Sequence, residues 1–426
     1  DCEFSGEPPP GADRSIVLSA NDLPFLGRRI QEIFKKWERQ SNRGRLSKTE
    51  LNGILKGLSP SFNILPVLYR SIEEQEERLF CLTEEQKRLL DFLNQHKRAA
   101  IQGVAGSGKT MLALAKAQQF ADSGKKVLLV CYNKTLAEWL RSSLPDIYED
   151  KITIRHFHSL CSEWCRKASI PFTVPTDDLG KFWRYTSPDL LIQAIDQITE
   201  RFDAVVVDEG QDFYPEWWIA LELLNSEGER GSFYVFYDPA QNLFVNNELL
   251  IPELGTPFQL STNCRNTKQI ASVCSKIQEI DISVHKEAPE GVKCEVILAE
   301  SPDDQINLCR KQITDWINKG KLKPSQVAIL CPHQKTKSPM KDLDEIAKVP
   351  ITIDIEKWEN GNGILFSSIR SFKGLESDAV IMIDLPEINS VSHFTKSDIY
   401  VGCSRAKHLL TVLTSTQSLI DKFSSL

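Results

Sequence analysis

Residues 99–110 read Ala99-Ala100-Ile101-Gln102-Gly103-Val104-Ala105-Gly106-Ser107-Gly108-Lys109-Thr110. A short apolar run passes through a glycine-rich turn into a stretch with helical character, and the turn fits Gly-x-x-x-x-Gly-Lys-Ser/Thr. Strand, loop and helix in that order are the setting this motif requires. The loop from Gly103 through Ala105, Gly106, Ser107 and Gly108 can then curl its backbone N–H groups around phosphates, at the positive end of a helix. Lys109 would reach the terminal phosphates and Thr110 would ligate magnesium. A nucleoside triphosphate with Mg2+ is therefore the expected ligand.

A second run, Ala204-Val205-Val206-Val207, ends in Asp208-Glu209-Gly210-Gln211-Asp212. The two acids fall at the carboxyl end of a buried strand, where open α/β sheets place their chemistry. Asp208 would hold the magnesium ion, and Glu209 would orient or deprotonate an attacking water.

Around these two motifs, short apolar strands alternate with longer amphipathic helices, the pattern of a parallel sheet covered on both faces. Strands are predicted at 99–102, 126–132, 152–155, 203–207 and 233–237. The alternation restarts after about residue 256, with strands at 293–298, 327–331, 350–353, 363–367, 378–384 and 409–413 and a helix over 302–318. The organisation expected is a linker and accessory helical segment over 1–80, a first α/β domain over 81–255 and a second over 256–426. In the first segment Leu23, Leu26, Ile30, Ile33, Phe34 and Trp37 share a helical face, and Ser47-Lys48-Thr49-Glu50 opens a second helix as a capping box.

The 426 residues, 41% hydrophobic and 26% charged, suffice for two or three domains with their own cores. A formal charge of -7 argues against a broadly basic surface, so any nucleic-acid contact must come from a local groove. Eleven cysteines lie scattered through apolar runs, as buried free thiols do, which points to a reducing, cytoplasmic setting. No apolar run approaches the length of a membrane span, so no membrane association is expected. The start at Asp1 and the run Gly6-Glu7-Pro8-Pro9-Pro10-Gly11 suggest a linker from something upstream.

Beyond these motifs, residues 82–413 resemble the UvrD/Rep-type superfamily 1 helicases in an ordered series. Thr83-Glu84-Glu85-Gln86 resembles the motif whose glutamine reads adenine, which implies ATP. Tyr132-Asn133-Lys134 and Phe157-His158-Ser159-Leu160 are similar to the first nucleic-acid contact motifs. Tyr237-Asp238-Pro239-Ala240-Gln241-Asn242-Leu243-Phe244 resembles the third helicase motif, which implies that Gln241 senses the terminal phosphate and Phe244 stacks on a base. Asn263-Cys264-Arg265-Asn266-Thr267 resembles the motif supplying an arginine from the second domain. Ser371-Phe372-Lys373-Gly374-Leu375-Glu376 is similar to the Lys-Gly-Leu-Glu motif, which implies nucleotide contacts for Gly374 and Glu376. Tyr400-Val401-Gly402-Cys403-Ser404-Arg405-Ala406 resembles the last motif, with a second arginine. The resemblance implies two tandem RecA-like parallel-sheet phosphate-loop domains after an N-terminal helical segment. It also implies ATP hydrolysis coupled to single-stranded DNA, and movement 3′ to 5′. Arg265 and Arg405 would neutralise transition-state charge, coupling closure to hydrolysis.

The sequence also departs from that family. Only 49 residues separate His158 from Asp208 and 107 separate Arg265 from Lys373, so the large insertions of processive members are missing. Asn246 stands where a tryptophan follows the stacking aromatic, leaving Phe244 and Phe157 to stack on bases. Arg370, a further nucleic-acid candidate, stands where a histidine is common. The compact core and the Cys131-Tyr132-Asn133-Lys134 phrase are most similar to the helicase half of NERD-type nuclease–helicase proteins, which implies an upstream nuclease domain or nuclease partner. This chain has no convincing nuclease constellation of its own. A second reading is an ATP-gated regulatory module of an associated nuclease or defence complex, with little unwinding. A small-molecule kinase would leave the Lys-Gly-Leu-Glu and Ser-Arg-Ala motifs without a role. His156, His158, Cys161 and Cys165 carry groups that zinc takes, but Cys161 and Cys165 sit one helical turn apart beside Leu160 and Trp164, as core residues do.

Overall fold

The computed structural model describes residues 25–40, 68, 71–75, 90, 93–242, 251–388 and 394–424. It divides into two compact units, Asp1–Leu65 and Pro66–Leu426. In the first unit the described element is α1, Leu26–Gln40, matching the amphipathic stretch read from the sequence. Ile30 and Phe34 on this helix are exposed. Leu23, the Pro-rich run at 6–11 and the helix expected from Ser47 lie outside the described residues, as do Gln86, Phe244 and Asn246.

The second unit is built on two parallel α/β sheets, the tandem RecA-like architecture. The first contains β1 (Arg98–Gly103), β2 (Val127–Cys131), β3 (Ile152–His156), β4 (Ala204–Val207), β5 (Ser232–Tyr237) and β6 (Phe258–Leu260), in the spatial order β3-β2-β4-β5-β1-β6. All its pairings are parallel. Helices α2 (Lys109–Asp122), α3 (Lys134–Ser142), α4 (Phe157–Lys167), α5 (Ser187–Gln197) and α6 (Pro215–Leu224) connect and cover it.

Alternation within the strands fixes the two layers. Val205 and Val207 of β4 pack with Leu128 and Val130 of β2 against Trp164 and Trp217. Ala204 and Val206 face the other way with Val127 and Leu129, against Leu112 and Ala117 of α2. With both faces covered, every residue of β2, β4 and β5 is buried, which is why these strands read as unbroken apolar runs.

A two-stranded sheet of β7 (Thr262–Asn263) and β8 (Ser283–Val284) flanks α7 (Lys268–Gln278) at the changeover. The second large sheet contains β9 (Glu295–Leu298), β10 (Val327–Cys331), β11 (Glu345–Ile346), β12 (Val349–Thr352), β13 (Ile364–Ser368), β14 (Ser377–Leu385) and β15 (Ala406–Thr414). Their order is β11-β12-β13-β10-β14-β15-β9, parallel except where β11 meets β12. Its helices are α8 (Pro302–Thr314), α9 (Ile355–Glu359), α10 (Lys396–Ser404) and α11 (Gln417–Ser424). The six strands read from sequence in this half are all present, within three residues at each end. One boundary shifts: β6 adds to the first sheet beside β1, so that sheet continues past residue 255.

The nine described cysteines are free thiols, eight of them buried. Among the described residues no helix is long and apolar enough to cross a membrane.

Candidate nucleotide site

β1 delivers the glycine-rich loop, and α2 begins at Lys109 behind a left-handed Gly108. Gly106 is also left-handed, and a side chain there would collide with those of Asn263 and Asn266. Only glycine satisfies both demands. Lys109 Nζ folds back to donate to the carbonyls of Gly103 and Val104, each at 2.9 Å, and lies 3.6 Å from Asp238 Oδ2.

Asp208 and Glu209 follow β4 on its carboxyl edge. Both oxygens of Asp208 are buried and, among the described residues, have no hydrogen-bond partner. Burial, then the neighbouring Glu209 charge, pushes its carboxyl up, while Thr110 and Lys109 work the other way. Glu209 has φ 56, a strained conformation for a non-glycine residue. Burial would raise its carboxyl too, but the charges of Lys373, Lys109 and Arg405 outweigh that and hold it low. Ser107, fully buried on the phosphate loop, likewise has an unpartnered hydroxyl.

The segment around the second sheet closes over this edge. Arg405, just after α10, donates through Nη2 to Gln241 Oε1 at 3.2 Å, while Gln241 Nε2 donates to Asp238 Oδ2 at 2.7 Å. Arg265 forms an ion pair with Glu376. Gly374 is left-handed and lies tight against Leu136 of α3. A cleft of about 340 Å³ results, lined from the first half by Gly106, Lys109, Thr110, Glu209 and Gln241 and from the second by Arg265, Gly374, Glu376 and Arg405. Residues as far apart as Gly106 and Arg405, 299 positions along the chain, thus share one cavity.

Several participants escape the sequence reading. Lys373 is buried and donates to both oxygens of Asp212 at 2.8 and 2.7 Å and to the Gln241 carbonyl at 2.7 Å, with Glu209 Oε2 3.8 Å away. Lys373 and Asp212 each lie inside quoted motifs, but a pairing across 161 residues leaves no local signal. Asn263 donates to the Ala105 carbonyl at 3.0 Å, and the phenol oxygen of Tyr400 accepts from Ala105 N–H at 2.8 Å.

The residues expected to touch nucleic acid fare unevenly. Lys134 is exposed, with Glu138 at 3.7 Å. Arg370 is partly exposed and ion-paired with Asp398 at 3.0 Å. Asn133 caps α3 and donates to the carbonyls of Ser371 at 3.2 Å and Lys373 at 2.9 Å, so its amide bridges the two halves. Phe157 corrects the expectation of base stacking: it is fully buried with its ring stacked 3.9 Å from Trp217, leaving no open face. His158 stacks on Trp183 at 4.0 Å, its Nε2 buried and unpartnered. Cys161 and Cys165 lie in the core beside Trp164.

Residues 68–211, about a third of the chain, match the family described as "Type III restriction enzyme, res subunit" (ResIII). No curated protein matches the chain. Among solved structures, it is similar to the Arterivirus nonstructural protein 10 (helicase), 14% identical with a TM-score of 0.40, the alignment covering 76% of this chain and 61% of that one. The complex of that helicase with DNA gives the same identity and score, covering 76% and 63%. The PRRSV helicase is 13% identical with a TM-score of 0.40, covering 76% and 53%. The chain thus spans about three fifths or less of the length of these helicases.

Proposed function

We propose that the chain is the motor core of a superfamily 1 DNA helicase or translocase of the UvrD/Rep type, an ATPase whose turnover is coupled to single-stranded DNA. The observation that carries this reading is the shared cleft. A phosphate loop, Glu209 and Gln241 meet Arg265 and Arg405 from the other half, with Asp208 buried beside Glu209 in the chain, which is the constellation phosphoryl transfer needs.

In this reading, the loop amides and Lys109 take the phosphates, Lys109 exchanging its two carbonyl partners for them. Thr110 and Asp208 would hold Mg2+, and the residues fit: a buried carboxylate beside a hydroxyl suits a hard cation. The ion, when bound, neutralises charge on the phosphate oxygens. Glu209, kept ionised by three cations, orients the attacking water and accepts its proton. Arg265 leaves Glu376 for the terminal phosphate, and Arg405 approaches beside Gln241. Because both arginines belong to the second half, hydrolysis loosens the two halves and becomes motion.

Gln86 is the adenine reader by resemblance, and Lys134, Arg370 and Phe244 are the candidates for the DNA strand. Movement 3′ to 5′ and an upstream nuclease domain also follow from resemblance.

Steady-state ATP hydrolysis, with and without single-stranded DNA, tests the reading. Stimulation by DNA is expected, together with a loss of about two orders of magnitude or more in Lys109→Ala. A flat, DNA-independent rate would overturn the motor reading and favour a nucleotide-gated module.

A further inference from the structure

Tyr400 on α10 is fully buried, five residues ahead of Arg405, so whatever displaces one displaces the other. Among the described residues its phenol has two partners, both in the first half. It accepts from the Ala105 N–H of the phosphate loop at 2.8 Å and lies 3.3 Å from Asp238 Oδ2, to which it donates. Burial, then the Asp238 charge, raises the phenol above its ordinary range, so the proton stays available for that donation.

Asp238 in turn decides which way Gln241 faces. Its Oδ1 accepts from Ala240 N–H at 3.0 Å, and its Oδ2 accepts from Gln241 Nε2 at 2.7 Å. A carboxylate on that side demands the NH2 end of the amide, which leaves Oε1 pointing at Arg405. The four side chains are almost completely removed from water, between 0% and 6% exposed, so a lost partner is not replaced by solvent. Lys109, 3.6 Å from the same Asp238 oxygen, must turn to the phosphates when nucleotide binds. Among the described residues, Tyr400 and Gln241 are then the side chains that still hold this oxygen.

We propose that Tyr400 is a positioning residue: through Asp238 it fixes the amide of Gln241 toward Arg405, tying the seating of the second half on the phosphate loop to the readiness of the arginine. This rests on the hydrolase reading and adds to it the means by which closure is sensed. Closure without the Ala105–Tyr400 contact would leave the Gln241–Arg405 pair unset.

The test is a double-mutant cycle in DNA-stimulated ATP hydrolysis between Tyr400→Phe and Gln241→Ala, with thermal unfolding of each variant. Phenylalanine keeps the ring and removes the relay. Tyr400→Phe is expected to lower kcat by about tenfold while the KM for ATP stays within about twofold. In the Gln241→Ala background it is expected to cost nothing further. Asp238→Asn, of the same shape, gives an independent second arm: kcat should fall similarly, and Tyr400→Phe should again add nothing. A wild-type kcat in Tyr400→Phe, or equal losses with and without Gln241, would overturn the coupling while leaving the hydrolase reading intact. A wild type that turns over no ATP would overturn both.

Discussion

At the scale of single residues, the burial of His158 makes an acid-sensitive joint. Burial, then the nearby His156, lowers its imidazole from 6.5 to about 4, and among the described residues its Nε2 has no partner that a proton would satisfy. The folded state therefore holds it neutral, while the unfolded chain takes up a proton below the ordinary value. Its contribution to stability is complete above about pH 6.5 and is lost as pH falls from there toward about 4. At pH 5 the loss should be about 2 kcal/mol from this residue. Urea unfolding of the wild type and His158→Phe at pH 7 and pH 5 measures it: the variant should lose less on acidification, and identical losses would refute the assignment. The residue also shows what sequence leaves hidden. Phe157 and His158 were legible as a motif, and their order is what placed them at the end of β3. How the two rings are buried depends on Trp183, 25 residues from His158, and Trp217, 60 residues from Phe157.

At the scale of elements, strands buried on both faces were legible because nothing polar interrupts them, as in β4 and β10. β6 was not, since its three residues are exposed or only partly buried at an edge and carry no apolar run. Its pairing with β1 comes from the chain's path and not from its composition. The start of α3 carries a second consequence. Asn133 Oδ1 accepts from Thr135 N–H at 2.9 Å, while its amide holds two carbonyls of the Lys-Gly-Leu-Glu segment. Asparagine is thus both cap and latch, and two substitutions separate these jobs. Asn133→Ala should cost about 1 kcal/mol for the cap plus about 1 for each latch bond. Asn133→Asp keeps the cap yet turns a carboxylate on two carbonyl oxygens, so its loss should match or exceed that of alanine. Chemical denaturation compares them, and an aspartate variant as stable as wild type would show that the latch contributes nothing.

At the scale of the whole molecule, the candidate site was legible as pieces and in order, but not as an assembly. Lys109, Asp208 and Glu209 could be placed together because strand ends of one sheet share an edge. That Lys373 would be spent inside the molecule on Asp212, or Arg265 paired with Glu376, requires the two halves already docked. Charge is the property that does carry over from sequence to the whole surface. With a formal charge of -7, the chain should repel a nucleic-acid backbone everywhere except along a local track, so binding must be carried by few cations. Log affinity for a labelled single-stranded oligonucleotide should fall linearly with log salt, by about 0.7 for each phosphate neutralised. Lys134→Ala, which removes an exposed cation, should weaken binding uniformly across sequences and reduce that slope by about one contact's worth. Arg370→Ala should do the same with a smaller effect, since Asp398 already offsets part of its charge. Fluorescence anisotropy between about 50 and 200 mM salt is the measurement. Salt-independent binding, or slopes unchanged in both variants, would place the strand elsewhere on the protein and remove Lys134 and Arg370 from its path.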